Sequence, residues 1–117
     1  MGLKDIAKRF SASVEELDES RLHDRFDAVD GTPIGDVVPR THVVVAGEVK
    51  AVQVVPRAGS PWLEVTISDG SGKAVAVFSG RRRIAGIDVG RGIVLEGVAG
   101  RRGAKVQLMN PVYTLLG

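Results

Sequence analysis

The chain has 117 residues, of which 44% are hydrophobic and 26% charged, so it is long enough to bury one core and too apolar to be disordered throughout. It contains no cysteine, which excludes a disulfide framework, a thiolate metal site and a cysteine nucleophile. No stretch approaches about 18 consecutive apolar residues and the first residues lack the apolar run of a secretory signal, so a cytoplasmic protein is the default expectation.

Residues 1–40 are predicted to form a helical segment and a connector. Apolar residues at helical spacing predict a short first helix: Leu3, Ile6, Ala7 and Phe10. Ser13 and Glu16 have the spacing of a capping box, which predicts that a second helix begins there and ends at 30–31. Its apolar stripe, opposite a charged face, comprises Val14, Leu17, Leu22, Phe26 and Val29. Such a helix docks on its own domain or on a protein partner, and residues 32–40, with two prolines, form the connector.

Residues 41–117 carry a β pattern. A run of β-branched residues from Thr41 to Pro56 predicts one long first strand, in which Gly47 marks a bend. A long bent strand is suited to closing a small barrel. Two further strands, 62–68 and 73–79, alternate in hydrophobicity on either side of a turn at Asp69–Gly72.

About ten residues, beginning at Gly80, separate the third strand from the fourth and could hold a short helical turn. The fourth strand covers 93–98, and the last one runs over 104–115 with an interruption at Pro111. This layout favours a mainly β fold, a five-stranded OB-fold Greek-key barrel with an N-terminal helical extension, over an SH3-like barrel or a small sandwich. The predicted division is 1–40 for the helical segment and connector and 41–117 for the barrel.

Three segments of residues 41–115 carry a resemblance to a known family. They are HVVVAGEV, LEVTISDGSGKAVAVFSGRRRIAGIDVGRGIVLEGVA and NPVYTLL. With the preceding TPIGDV they resemble small actinobacterial OB-fold nucleic-acid-binding domain proteins and, more loosely, the OB wedge domain of RecG-type helicases. The DGSG turn and the GRRRI segment are the most specific parts. The resemblance implies a nucleic-acid-binding fold and no known catalytic activity.

Charge is divided unevenly along the chain. Residues 1–40 contain 6 basic and 9 acidic side chains, whereas residues 41–117 contain 10 and 5. Arginine outnumbers lysine by 11 to 5. The positive excess in the barrel segment favours an anionic partner, although an arginine-rich genome would give the same composition.

The positions of the basic residues favour the functional interpretation. OB-folds that bind single strands use the surface of their second and third strands, between the loop after strand one and the loop before strand five. Arg57 falls in the first of these loops. The second loop contains Arg101 and Arg102, with Lys105 beside them, and Arg81, Arg82 and Arg83 directly follow strand three. Three segments are therefore predicted to bring arginine to one side of the barrel, where the planar guanidinium can hold phosphate oxygens bidentately.

Trp62 and Phe78 are the candidate residues for base stacking. If the hairpin pairs Val65 with Val75, both aromatic rings project from the outer face, with small alanines between them, and Val77 turns inward. The structural alternatives are that the N-terminal helix covers Trp62 and that the loop following strand three covers Phe78.

Glu64 falls on the same predicted face, where a carboxylate repels phosphate. It is expected either to pair with a loop arginine or to accept a hydrogen bond from a base. The acidic helix could also cross the basic face and compete with nucleic acid.

Nothing in the sequence favours an enzyme or a cofactor site. His23 and His42 are the only histidines and have no partner at metal-ligand spacing. Gly72 and Lys73 are followed by Ala74, so the phosphate-loop pattern is absent. The sequence predicts a non-catalytic protein that binds nucleic acid, with single-stranded DNA or RNA favoured and no cofactor. The alternative is a protein-interaction module, and exposed edge strands could pair two copies into a homo-oligomer.

Overall fold

The structure is a computed structural model that describes the backbone of residues 3–117 and the side chains of residues 13–117. Over that range the helix α1 (Leu3–Phe26) and a 3-10 turn (Ile34–Asp36) precede six strands. The strands are β1 (His42–Arg57), β2 (Ser60–Ser68), β3 (Lys73–Ser79), β4 (Gly92–Arg102), β5 (Lys105–Met109) and β6 (Val112–Leu115). The predicted last strand is divided in two because Asn110, with a φ of 46°, turns the chain before Pro111.

The strands close into a ring. β1 pairs with β2, β2 with β3, and β4 with both β1 and β5, all antiparallel, whereas β3 and β5 run parallel. The ring is therefore β1-β2-β3-β5-β4, and β6 pairs with β4 as an addition to it. A five-stranded ring with this crossed order is a Greek-key OB barrel, so the predicted fold class is confirmed.

β1 takes part in two pairings because it is long and bent. Its first half pairs with β4 and its second half with β2. The register shifts between Val49 and Ala51, so Lys50 forms a β-bulge that turns the strand. A Cβ at Gly47 would lie 2.9 Å from the carbonyl oxygen of Ser68, so the neighbouring backbone approaches too closely for any side chain there.

One large hydrophobic core fills the barrel and includes residues from outside the strands. Its fully buried strand residues include Val45, Val65, Ile67, Leu95 and Leu108. The connector adds Ile34 and Val37, and the β3–β4 loop adds Ile84 and Ile87. That loop, residues 80–91, consists of turns and bends and contains no helix. The connector therefore contributes side chains to the barrel core. The predicted domain boundary at residue 40 stays a prediction from the sequence pattern.

α1 is a single continuous helix, so the predicted break at Ser13 is wrong. The segment Leu3–Phe26 contains neither glycine nor proline, and the residues present cost little in a helix interior. The helix ends at Phe26 rather than at 30–31. Leu22 and Phe26 pack against Ala46 of β1 and form a second, smaller core.

An ion cluster around Glu48 fastens α1 to β1. The buried carboxylate accepts hydrogen bonds from Arg21 at 2.8 and 3.0 Å and from Lys50 at 3.0 Å, and Arg25 also donates to it. The hydrogen bond from Arg21 is the main cause that lowers the pKa of Glu48 to about 2, against the opposing effect of desolvation. The pKa of Asp18, which accepts from Arg21 and Lys50, is lowered as well. These contacts hold the described part of α1 beside the first half of β1.

Candidate nucleic-acid interface

The outer surface of β2 and β3 lies between the β1–β2 turn and the β4–β5 turn. The β2 side chains that enter the core are Leu63, Val65 and Ile67. Because side chains alternate along a strand, Trp62 and Glu64 lie on the outer surface. We define the Glu64 face as five residues of this surface: Arg57, Trp62, Glu64, Arg102 and Lys105.

The register of β3 against β2 differs by one residue from the predicted register. The side chains of β3 expected to face outward therefore face the core, and the others face outward. Leu63 pairs with Phe78 and Val65 with Ala76, so Phe78 points into the core, where its side chain is 6% exposed. The predicted outward position of Phe78 is therefore wrong. Its ring packs edge-on against Tyr113, with the ring centroids 5.8 Å apart, and offers no free face to a base.

The β2–β3 turn explains this register. The carboxylate of Asp69 accepts hydrogen bonds from the Ser71 amide at 2.9 Å and from the Ser71 hydroxyl at 2.6 Å. These contacts hold a loop across which Ser68 pairs with Lys73. The sequence of β3 gives no opposing signal, because residues 74–78 are all apolar and a slip of one residue simply exchanges the two faces of a strand.

The reversed strand places two buried valines beneath the Glu64 face. Val75 and Val77 lie outside the main core cluster but are only 3% and 2% exposed. Val77 pairs with Glu64 on one side, and the two valines pair with Gln107 and Met109 on the other. The alternation of β5, in which Lys105, Gln107 and Met109 are interleaved with core residues, is the sequence signal that identifies this part of the surface.

Glu64 lies at the centre of the face and joins its two flanks. Its side chain is 7% exposed. The Nη1 of Arg102 donates to Glu64 Oε1 at 2.7 Å, and the Nη2 of Arg57 lies 3.5 Å from Oε2. The two predicted loops therefore meet above β2, and Glu64 pairs with loop arginines, which was one of its two predicted roles.

The guanidinium group of Arg57 stacks over the ring of Trp62. The guanidinium carbon of Arg57 lies 5.0 Å from the centre of the Trp62 ring, within the range of a cation–π contact. Trp62 itself is half-buried, and Arg57 is exposed. The described side chains of α1 make hydrogen bonds elsewhere, to Glu48, Gly90 and the C-terminal Gly117 among others, so none of them bonds to this ring.

The β4–β5 turn divides its basic residues between two faces. Arg102 pairs with Lys105, which places both on the outer surface. Arg101 pairs instead with the core residue Val106, so it leaves β4 on the opposite side. Of the two neighbouring arginines predicted for the site, the structure brings only Arg102 to Glu64.

The arginine triplet follows the end of β3, close to where β2 begins. Trp62 pairs with Ser79, and the Gly80 amide donates to the Pro61 carbonyl at 2.9 Å. The triplet Arg81, Arg82 and Arg83 is exposed and forms no ion pair with any residue from 13 to 117. The triplet therefore leaves the sheet near the start of β2 and makes no ion pair with Glu64.

Among the described residues, no three histidine and carboxylate side chains gather as metal ligands would. The described part of the chain also holds no helix with the length and apolarity needed to cross a bilayer.

The closed ring of strands in this order defines the class of protein, an OB-fold domain. The family model described as OB-fold nucleic acid binding domain (tRNA_anti-codon) matches residues 43–116. The chain therefore belongs to this family of nucleic-acid-binding domains. None of the curated proteins compared with the chain matches it significantly.

Proposed function

We propose that the protein binds single-stranded DNA or RNA across the Glu64 face without catalysing a reaction. Phosphates bind Arg57 and Arg102 at the two flanks, with Lys105 and the Arg81–Arg83 segment extending the basic track, and a base stacks on Trp62. The observation that carries this proposal is the meeting of Arg57 and Arg102, from separate loops, at the two oxygens of Glu64.

The chemistry of these groups supports phosphate as the ligand. A guanidinium group presents a planar fork of donors that matches phosphate oxygens and also stacks on bases. Arg57 and Arg102 are exposed at 48% and 42% of their side chains, so each can exchange a contact with Glu64 for one with a phosphate. Glu64 itself is buried, and a buried carboxylate left without a cation is costly, so one arginine keeps its contact with Glu64 while the other exchanges it for a phosphate.

A single strand fits the face better than a duplex. Stacking on Trp62 requires an exposed base plane, which a base inside a duplex does not present. We therefore expect weaker binding of a duplex of the same length at the same ionic strength.

Salt dependence tests the phosphate contacts. With about four contacts and a slope near −0.7 per contact, raising the salt from about 50 to about 200 mM should weaken binding of a single-stranded oligonucleotide about 50-fold. Filter binding across this range measures the slope. An affinity that does not change with salt would overturn the proposal.

Neutral variants locate the contacts. Arg57→Gln and Arg102→Gln should each lower the salt slope by about 0.7 and weaken binding. Arg91→Gln is the matched control, because Arg91 is exposed and its loop contacts Arg25 of α1 through Gly90 rather than the Glu64 face. Circular dichroism checks that each variant is folded. If the control weakens binding as much as the two face variants do, the binding surface is elsewhere.

A second candidate function is docking to a protein through α1. Leu22 and Phe26 are buried on the barrel, but Val14 and Leu17 of the same predicted stripe are 48% and 69% exposed. A pull-down that recovers a partner in high salt, and loses it with Leu17→Asp, would favour this function. Recovery that depends on nucleic acid would count against it.

Several narrower predictions accompany the proposal. We keep as predictions the kinship with small actinobacterial OB-fold proteins and with RecG-type wedge domains. The choice between DNA and RNA, the cytoplasmic location and the pairing of copies into an oligomer stay predictions too. The proposed role of the protein as a non-catalytic binder rests on its membership of a family of nucleic-acid-binding domains.

A further inference from the structure

We infer that Glu64 reads the base that stacks on Trp62 and prefers guanine. This inference rests on the proposed function, because it assigns a specificity to the same face. It assumes that single strands bind there, and it adds the group that distinguishes one base from another.

The inference begins from a carboxylate oxygen that accepts no hydrogen bond from the described residues. Glu64 Oε1 accepts a hydrogen bond from Arg102 at 2.7 Å, whereas Oε2 is buried and accepts none from the described residues. Arg57 lies 3.5 Å from Oε2, which is close enough for attraction between the charges but makes no hydrogen bond. Buried polar oxygens almost always have a donor, so Oε2 has capacity for a hydrogen bond from a ligand once Arg57 moves away from it.

Charge determines which part of a nucleotide reaches this oxygen. The carboxylate stands at the middle of the face, and Arg57 and Arg102 stand on either side of it. A phosphate is attracted to the flanks and repelled from the middle. A bound strand is therefore oriented with its phosphates towards the arginines and a base towards Glu64.

The chemistry of a carboxylate selects among bases. An ionised carboxylate only accepts hydrogen bonds. The pairing edge of guanine presents two adjacent donors, N1–H and the N2 amine. Thymine and uracil present one donor between two carbonyl oxygens, which the carboxylate repels, and cytosine and adenine present an amine beside an acceptor nitrogen. Guanine is thus the base that offers Glu64 two adjacent donors, with its acceptor O6 at the end of the edge away from the N2 amine.

Arg57 covers the position that the base would take. Its guanidinium lies over the Trp62 ring at 5.0 Å and beside Glu64 Oε2 at 3.5 Å. The side chain is 48% exposed, and exposed side chains change rotamer within nanoseconds. When Arg57 turns outward to a phosphate, it frees one face of Trp62 and the unpaired oxygen of Glu64 in the same movement.

Oligothymidylate with a single internal substitution tests the preference, since one guanine in a thymine strand cannot form a quadruplex. Fluorescence anisotropy should show that the strand with guanine binds about tenfold more tightly than unsubstituted oligothymidylate, and adenine or cytosine should gain less. Hypoxanthine, which keeps N1–H and lacks the amine, should fall between guanine and thymine. Equal affinities for guanine, hypoxanthine and thymine would overturn the inference.

Glu64→Gln tests the residue. An amide presents a donor as well as an acceptor, so the ratio of guanine to thymine affinity should fall close to one. The control is Glu96→Gln, because Glu96 is exposed on β4 and pairs with His42, and it should keep the wild-type ratio. A Glu64→Gln protein that is folded and keeps the ratio would show that Glu64 only neutralises arginines. If this variant does not fold, the wild-type base series decides alone.

The outcomes also separate the inference from the proposed function. Wild-type protein that binds every strand equally, with the expected salt dependence, leaves the proposed function standing and refutes the guanine preference. Wild-type protein that binds none of the strands refutes both.

Discussion

Glu48 and Glu64 are both buried carboxylates of the barrel, but their surroundings differ. Glu48 accepts hydrogen bonds at both oxygens from three cationic residues. Glu64 has a hydrogen bond at one oxygen only. A fully bonded carboxylate holds elements together, whereas a partly bonded one near a flat aromatic ring has capacity left for a ligand.

The paired state of Glu48 predicts a pH-dependent contribution to stability. Its pKa is lowered to about 2 in the folded protein, below the value of an unfolded chain. The contribution is therefore complete above about pH 4.5 and is lost as the pH falls towards 2. Glu48→Gln should lower the free energy of unfolding by about 1–2 kcal/mol at neutral pH. Urea denaturation at several pH values should show this deficit shrinking in acid, and a deficit independent of pH would contradict it.

Trp62 gives a direct signal of binding because it is the single tryptophan of the chain. A base that stacks on its ring should quench its fluorescence as an oligonucleotide is added. Trp62→Ala should weaken binding by about 5- to 150-fold, whereas Trp62→Phe should lose much less. Tyr113→Phe is the control, since Tyr113 packs on Phe78 away from the face. Saturable binding that leaves the fluorescence of Trp62 unaltered would place the bases elsewhere.

Among the elements, the sequence predicts the course of β1, β2 and β3 but not the orientation of β3, and it ends β4 at 98, whereas the strand continues to Arg102. The long first strand, the hairpin and the divided last strand all follow from periodicity and turn residues. The face of β3 depends instead on how many residues the Asp69 turn contains, which its hydrogen bonds to Ser71 determine. For this reason Trp62 is on the outer surface as predicted, whereas Phe78 is not.

Leu22 is the residue on which we expect the docking of α1 to depend most. Leu22 is 1% exposed and packs in the small core with Phe26 and Ala46. Leu22→Ala should lower the free energy of unfolding by about 2–3 kcal/mol. Leu17→Ala is the matched control, because Leu17 is 69% exposed, and it should change stability by less than about 0.5 kcal/mol. Equal effects in denaturant titrations would mean that α1 is not held through this contact.

At the scale of the whole molecule, the candidate site exists only because the barrel closes. Arg57 and Arg102 lie far apart in the sequence and meet at Glu64 through the curvature of the ring. The order of strands predicts that their two loops flank one surface. It does not predict that Arg101 and Arg102 leave β4 on opposite sides, with only Arg102 on the Glu64 face. That division depends on the exact length of the β4–β5 turn, which the sequence does not determine.

Charge is also separated across the molecule. The first 40 residues have more acidic than basic side chains, and the barrel segment has the reverse. The described side chains of α1 bond to the Glu48 side of β1 rather than to Arg57 or Arg102. Over the described residues the acidic helix therefore makes no hydrogen bond or ion pair with Arg57 or Arg102, and we expect it to act on a polyanion through the electric field.

This separation predicts an effect on the rate of association. Glu15, Glu16 and Glu19 are exposed on α1, and replacing all three by glutamine should raise the association rate constant of a single-stranded oligonucleotide about two- to threefold at low salt. The dissociation rate should hardly change, because none of the three touches the face. Stopped-flow quenching of Trp62 measures both rates. The gain should disappear at about 0.5 M salt, where screening acts within a few ångströms, and a slower dissociation that persists there would mean that α1 competes for the face directly.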